Sequence, residues 1–205
     1  VAVGRESSGS SGADVTGRLA PFRFKSFTTL PNIAMEIGII SDTHGYLDPL
    51  VFEAFSTCDE IWHAGDFGGI EIADQLQQAK PLRGVYGNID DAKIRQSFPE
   101  DLRFECEGVS VWITHIAGRP GKYAPRVRKG LIADPPRVLI CGHSHVISVE
   151  NDSRYGLKYI NPGAAGHEGA HVMRTLLKIE LSNGEIKNMR LIELGLRGRR
   201  NTTCP

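Results

Sequence analysis

From Met35 onward, short apolar runs alternate with amphipathic stretches, and run after run ends in a potential ligand. Met35 to Ile40 is a strand-like run followed by Ser41-Asp42-Thr43-His44-Gly45. Asp48 then offers an N-cap with Pro49 at the first helical position, and Leu50, Val51, Ala54, Phe55 and Cys58 share one helical face. A second strand over Glu60 to His63 runs into Ala64-Gly65-Asp66. A helix from Gly69 to Ala79 buries Ile72, Leu76 and Ala79, and Pro81 closes it. Leu82 to Tyr86 forms a third strand ending in Gly87-Asn88. This order of strand, helix, strand, helix, strand predicts parallel strands joined by right-handed crossovers.

The later half changes character. Leu102 to Cys106 and Val109 to Thr114, separated only by Glu107-Gly108, predict a hairpin whose second strand delivers His115. A helix over Lys122 to Ala133, with Tyr123, Val127 and Leu131 turned inward, stops before Pro135-Pro136. Val138 to Cys141 leads into Gly142-His143-Ser144-His145, and Val146 to Val149 follows at once. Leu157 to Ile160, His171 to Leu181 and Glu185 to Ile192 complete the strands, the last two joined by an Asn183-Gly184 turn. Roughly ten strands and three helices, antiparallel late in the chain, predict an α/β fold of two stacked sheets flanked by helices.

The chain has 205 residues, enough for one domain with a real core and no disulfide or metal staple. That domain is expected over 35–192. Residues 1–34, rich in Gly and Ser and then basic, read as a disordered or non-native extension, with Met35 as the functional start. The stretch weakly evokes a transit peptide and lacks the apolar centre of a secretory signal. Residues 193–205 read as a flexible tail. Lys and Arg balance Asp and Glu at 24 each, so no broad attraction to nucleic acid or membrane is expected. No run approaches the roughly 20 apolar residues of a membrane span. Cys58 and Cys141 sit in apolar segments as small buried hydrophobes, which fits a reducing, cytoplasmic setting.

Asp42, His44, Asp66, Asn88, His115, His143 and His145 all stand at or just past strand ends, where an α/β sheet places its binding loops. Seven donors are too many for one tetrahedral zinc and suit two divalent ions sharing a bridge. Asp66 is the bridging candidate, because each carboxylate oxygen can hold one ion. Asn88 adds a neutral oxygen, and the glycines at 45, 65, 68 and 69 let the backbone turn tightly beside the ions. The mixture of carboxylate, imidazole and amide favours Mn²⁺, Fe²⁺, Zn²⁺, Co²⁺ or Ni²⁺ over Ca²⁺ or an all-oxygen Mg²⁺ site. Singly, Asp-x-His, Gly-Asp and Gly-Asn are ordinary turn sequences, and only their joint placement carries weight. His63 reads as a buried histidine that orients a ligand. His167 and His171 read as solvated loop residues.

This order of motifs strongly resembles the calcineurin-like metallophosphoesterases, in particular their small single-domain phosphodiesterases, a branch that includes a non-catalytic retromer scaffold subunit. The motifs are Asp42-Thr43-His44, Gly65-Asp66, Gly87-Asn88, His115, Gly142-His143-Ser144-His145 and Asn161-Pro162-Gly163. The resemblance implies a four-layer α/β/β/α sandwich. It implies one ion held by Asp42, His44, Asp66 and His145 and a second by Asp66, Asn88, His115 and His143. Asp66, Asn88 and His115 would take catalytic as well as metal-holding roles, with Mn²⁺ the foremost metal. It also implies hydrolysis of a small phosphodiester, of the nucleotide-derived kind, by in-line attack of water held between the ions, in a monomer or homodimer. A phosphomonoesterase of the same fold and a non-catalytic scaffold are the rival readings. Two departures stand out. Ile89 occupies the place where many relatives carry a phosphate-binding histidine, leaving Asp90 or a metal-bound water to substitute. Ile116 follows His115 where relatives carry glycine, and Asn161-Pro162-Gly163 is expected to support the histidine loop. Arg119, Lys122, Tyr123, Arg126 and Arg128 read as a solvated basic face, with anion binding as the alternative.

Overall fold

In the computed structural model, residues 34–198 are described. The expected extension, apart from its last residue, and residues 199–205 of the expected tail lie outside them. The element order is β1 (Met35–Ile40), α1 (Pro49–Ala54), β2 (Glu60–His63), α2 (Ile70–Ala79), β3 (Leu82–Gly84) and α3 (Ala92–Ser97). Then come β4 (Asp101–Cys106), β5 (Val109–Thr114), β6 (Gly118–Arg119), β7 (Lys122–Tyr123) and α4 (Pro125–Ala133). The chain closes with β8 (Val138–Ile140), β9 (Ile147–Asp152), β10 (Leu157–Pro162), β11 (Met173–Ser182) and β12 (Glu185–Leu196).

Two five-stranded sheets form, ordered β12-β11-β1-β2-β3 and β4-β5-β8-β10-β9. Strands β1, β2 and β3 run parallel, as the crossover rule predicts, and β11 closes antiparallel on β1. Period-two alternation sorts each strand between two apolar layers. Ile37 and Ile39 of β1 face Val111 and Ile113 of β5 in a core between the sheets. Ile40, on the other face of β1, joins Val51, Phe55, Ile72, Leu76 and Ile94 beneath α1, α2 and α3. Trp112 and Leu139 turn the opposite way, onto Val127 and Leu131 of α4. Three apolar layers separate four structural ones, so the α/β/β/α sandwich is what the chain adopts. Buried Asp48 caps α1 through Leu50 N (3.0 Å) and pairs with buried Arg174 of β11 at 2.8 Å, which fixes where the helix leaves the sheet.

Several boundaries moved for readable reasons. The helix expected from Lys122 begins at Pro125, because Lys122 and Tyr123 pair with Arg119 and Gly118 in a small hairpin. Helix α3, which was not expected, is capped by Asp91 accepting from Lys93 N and Ile94 N. Strand β3 stops at Gly84, and Val85 N still reaches His63 O at 3.2 Å. Strand β12 continues past Ile192 to Leu196, so residues expected in the tail are sheet. It manages this through a register shift opposite Arg174 and Thr175 that leaves Leu194 buried in the helix-side core.

Candidate metal centre

The loops leaving β1 and β2 are laced together beyond the strands that carry them. Asp42 N donates to Gly65 O (3.0 Å), His44 N to Asp66 O (3.1 Å) and Gly45 N to Phe67 O (2.8 Å). Fully buried His63 holds the same pair of loops. Its Nδ1 accepts from Gly65 N at 3.1 Å, so its Nε2–H donates to Thr43 Oγ1 at 3.1 Å, and that hydroxyl donates to Phe67 O at 3.0 Å. The ring stacks on Phe67, and burial pushes its pKa down to about 3. His63 is therefore a neutral brace, buried as the sequence suggested but bonded to the Gly65 amide and Thr43 rather than to a donor side chain.

Two groups of ligand atoms assemble at these strand ends: Asp42, His44 and His145, and Asp66, His115 and His143, each group within 4.8 Å. His44 Nε2 and His145 Nε2 lie 3.3 Å apart, and His145 Nε2 lies 3.2 Å from Asp42 Oδ1. Asp66 sits between the groups. Its Oδ1 accepts from Ile89 N (3.1 Å), while Oδ2 alone faces His44 Nε2 (3.7 Å) and His115 Nε2 (3.2 Å). Among the protein atoms, both histidine contacts of Asp66 therefore run to one oxygen. Asn88 Oδ1 stands 3.1 Å from His115 Nε2.

The tautomer of His115 follows from its partner. Ala64 O, 2.8 Å from Nδ1, can only accept, so Nδ1 carries a proton, and in the neutral ring Nε2 presents its lone pair. That lone pair confronts the oxygens of Asp66 and Asn88, an arrangement that repels unless positive charge sits among the atoms. These residues fit a bound cation. The titration directions show how strongly the two carboxylates attract positive charge, whether a proton or a metal ion. Burial works against a charged His115, but the hydrogen bond and charges of Asp66 and Asp42 outweigh it and raise its pKa. Hydrogen bonding to Asp42 likewise raises His145. Burial opposes charge on Asp66, yet His115 and the Ile89 amide hold its carboxyl below the usual range. Exposed His143 is pushed down by partial burial and by the neighbouring His115.

Close approach explains two glycines. A Cβ on Gly87 would lie 2.0 Å from Asp66 Oδ1, and one on Gly142 would lie 2.0 Å from Ser41 Oγ and 2.7 Å from Asp42 Oδ2. Gly69, expected to turn tightly, is instead the extended residue that starts α2. The histidine loop is carried as foreseen: fully buried Asn161 donates to Gly142 O (2.9 Å) and Ser144 Oγ (3.0 Å). His143 N in turn donates to Asp42 Oδ2 at 3.1 Å.

Other expectations need correcting. Asp90 cannot stand in for the missing histidine. It is buried, and its two oxygens accept from Gly68 N (2.9 Å) and Gly87 N (2.7 Å), so it ties the loops together instead. His167 and His171 are half-buried, not solvated. The ring of His171 lies 5.3 Å from that of His145, and His167 packs on Tyr46 and hydrogen-bonds Arg197 O. The basic group after His115 divides. Arg126 is tied to Asp101, Glu100 and Thr114, and Tyr123 donates to Asp152 Oδ2 (2.8 Å). Arg119 and Lys122 line an open cleft beside His143. One contributor had no signal in the sequence. Arg95 reaches Asp90 O (2.7 Å) and Gly87 O (3.1 Å), bracing the loop that carries Asn88.

Residues 35–184 match the calcineurin-like phosphoesterase superfamily domain, and the chain belongs to that family. It is 33% identical over 116 residues to a probable metallophosphoesterase of Methanothermobacter thermautotrophicus, covering 54% of this chain and 67% of that protein. Among solved structures, an archaeal phosphodiesterase superposes with a TM-score of 0.61 at 22% identity, over 78% of this chain and all of that one (100%). Vps29 of Entamoeba histolytica, solved with zinc, gives a TM-score of 0.61 at 17% identity over 78% of this chain and 98% of that one. At these identities the two structures establish the shared fold. Family membership and the two paired donor groups together support a metal-dependent phosphoesterase.

Proposed function

We propose that this protein is a dimetal phosphodiesterase, with one ion at Asp42, His44 and His145, the other at Asn88, His115 and His143, and Asp66 shared. The observation that carries the reading is the meeting of two groups of ligand atoms, each within 4.8 Å, with Asp66 Oδ2 between them, 3.2 Å from His115 Nε2 and 3.7 Å from His44 Nε2. Two bound divalent ions, Mn²⁺ foremost, would supply Lewis acidity and an activated water. The chain's own part is to hold the donors and keep its nearest thiol and one nearby hydroxyl out of reach. Cys141 is buried with its pKa pushed up to about 12, and the Ser41 hydroxyl is buried against Gly65 O. Water attacks phosphorus in this reading: it gives up one proton as its oxygen bonds to phosphorus, the ester P–O bond breaks, and the departing oxygen takes up a proton. With Asp90 committed to two amides, that proton comes from solvent, which favours acidic leaving groups. The preference for diesters draws on the resemblance to the archaeal phosphodiesterase. Three free buried cysteines, Cys58, Cys106 and Cys141, support a cytoplasmic setting.

A rate panel with Mn²⁺ tests the proposal, comparing an aryl phosphodiester, an aryl monoester, 2′,3′- and 3′,5′-cyclic nucleotides and a dinucleotide. Diesters are expected to turn over fastest, and Asp66→Ala to lose on the order of 1,000-fold or more of that rate. A faster monoester would make the protein a phosphomonoesterase. Failure to take up metal would leave a scaffold.

A further inference from the structure

His143 opens onto a cleft of about 510 Å³ lined by Ile116, Ala117, Arg119, Lys122, Val146 and Tyr159, among others. Its size suits an organic group larger than an aryl ring. Its walls are apolar where they meet the metal centre, since Ile116 and Val146 directly follow the donors His115 and His145 and are 40% and 61% exposed. The far end is cationic. Arg119 and Lys122 are direct register partners across the β6–β7 hairpin, so both side chains leave the same face. Like charges placed opposite each other destabilise a strand pair, and neither is relieved by an ion pair among the described residues. Arg126, a few residues on, shows the contrast, being neutralised by Asp101 and Glu100. The hairpin is held firmly: Tyr159 Oη donates to Gly118 O (2.8 Å) and Ala124 N to Ala117 O (2.9 Å). The carboxylate lining the cleft, Glu150, already accepts from Ser148 at 2.6 Å.

We propose that this cleft holds one arm of the substrate, and that Arg119 and Lys122 clamp a second anionic group on that arm. The substrate class is then a phosphodiester bearing a further phosphate, as in a dinucleotide with a terminal phosphate. This rests on the phosphodiesterase reading and adds the selection of a doubly anionic ester. The apolar walls take the sugar and base, and the paired cations take the terminal phosphate.

The test compares kcat/KM for a deoxydinucleotide with and without a 5′-terminal phosphate, each scaled to a bis-aryl phosphodiester that lacks a second anion. The wild-type protein is expected to prefer the phosphorylated dinucleotide by about 10-fold or more, chiefly through KM. In Arg119→Ala/Lys122→Ala that preference falls to near unity, and Lys122→Arg retains it. A wild-type ratio of one with diesters turned over overturns the clamp alone, as does a preference that survives the double variant. Absence of turnover on every diester removes the phosphodiesterase reading, and the clamp with it.

Discussion

Two sets of residues in this molecule share a left-handed backbone and hold it for opposite reasons. Glu107 (φ 49°) and Asn183 (φ 53°) each precede a glycine in a two-residue hairpin turn, where the strand twist demands positive φ at both positions. The second set is Asp42 (54°), His44 (48°), Asp66 (58°), His143 (68°) and His145 (58°), five of the seven donors. His44 does share a tight turn with Gly45 (φ 75°), closed by Tyr46 N on Thr43 O (2.9 Å), but no hairpin demands the conformation of the other four. The neighbouring loops impose it, through Gly65 O and Asp66 O accepting from Asp42 and His44, and through the Asp42 carboxylate accepting from His143 N. A turn spends this conformation on reversing the chain. The metal centre spends it on aiming side chains that an ordinary backbone would splay apart.

The largest test of that contrast is His143→Gly. Glycine adopts the same backbone freely, so the metal-free protein should stay within about 0.5 kcal/mol of its parent in urea unfolding. Metal-dependent turnover should fall by on the order of 100-fold or more. A loss of stability above about 2 kcal/mol would mean that His143 supports the fold itself. Next is the brace behind the donors. His63 titrates near 3 when folded and at 6.5 when free, so the native state binds fewer protons than the unfolded chain between those values. Its contribution is complete above pH 6.5 and is lost as pH falls towards 3, at about 1.4 kcal/mol per pH unit. Urea titrations from pH 7 to 4 should show a shallower decline in His63→Gln, and an unchanged slope would contradict the neutral brace. The smallest effect belongs to the turns. Glu107→Asn should raise stability by about 0.5 kcal/mol in thermal unfolding and leave turnover alone, because Asn-Gly suits this turn better.

The hairpin turns were legible in the sequence because their cause is local: Glu107-Gly108 and Asn183-Gly184 carry their geometry in two residues. The apolar runs Met35 to Ile40 and Val109 to Thr114 likewise read as strands, and Asp48-Pro49 marked where α1 begins. The donors could be named because each ends a strand, but the left-handed conformation of Asp42 and His143 could not, since both are held by hydrogen bonds to loops twenty or more residues away. Asp90 misled for the same reason. Beside Asn88 it reads as an acid near substrate, and only the fold brings Gly68 N and Gly87 N to its two oxygens. Lys122 and Tyr123 fit a helical pattern as well as a strand. The hairpin won because Tyr123 could then reach Asp152 and the apolar layer under α4.

Strand β12 lies at the outer border of its sheet, and one long flank of it faces no other strand among the described residues. Such a border invites another polypeptide to dock and extend the ladder, the first step towards clumping. Glu185, Lys187, Arg190 and Glu193 stud it with charge, and the kink around Leu194 bends its far end out of line. A newcomer would have to strip water from those charges while meeting a ribbon that does not stay flat. The longest of the described strands is thus kept from becoming the stickiest.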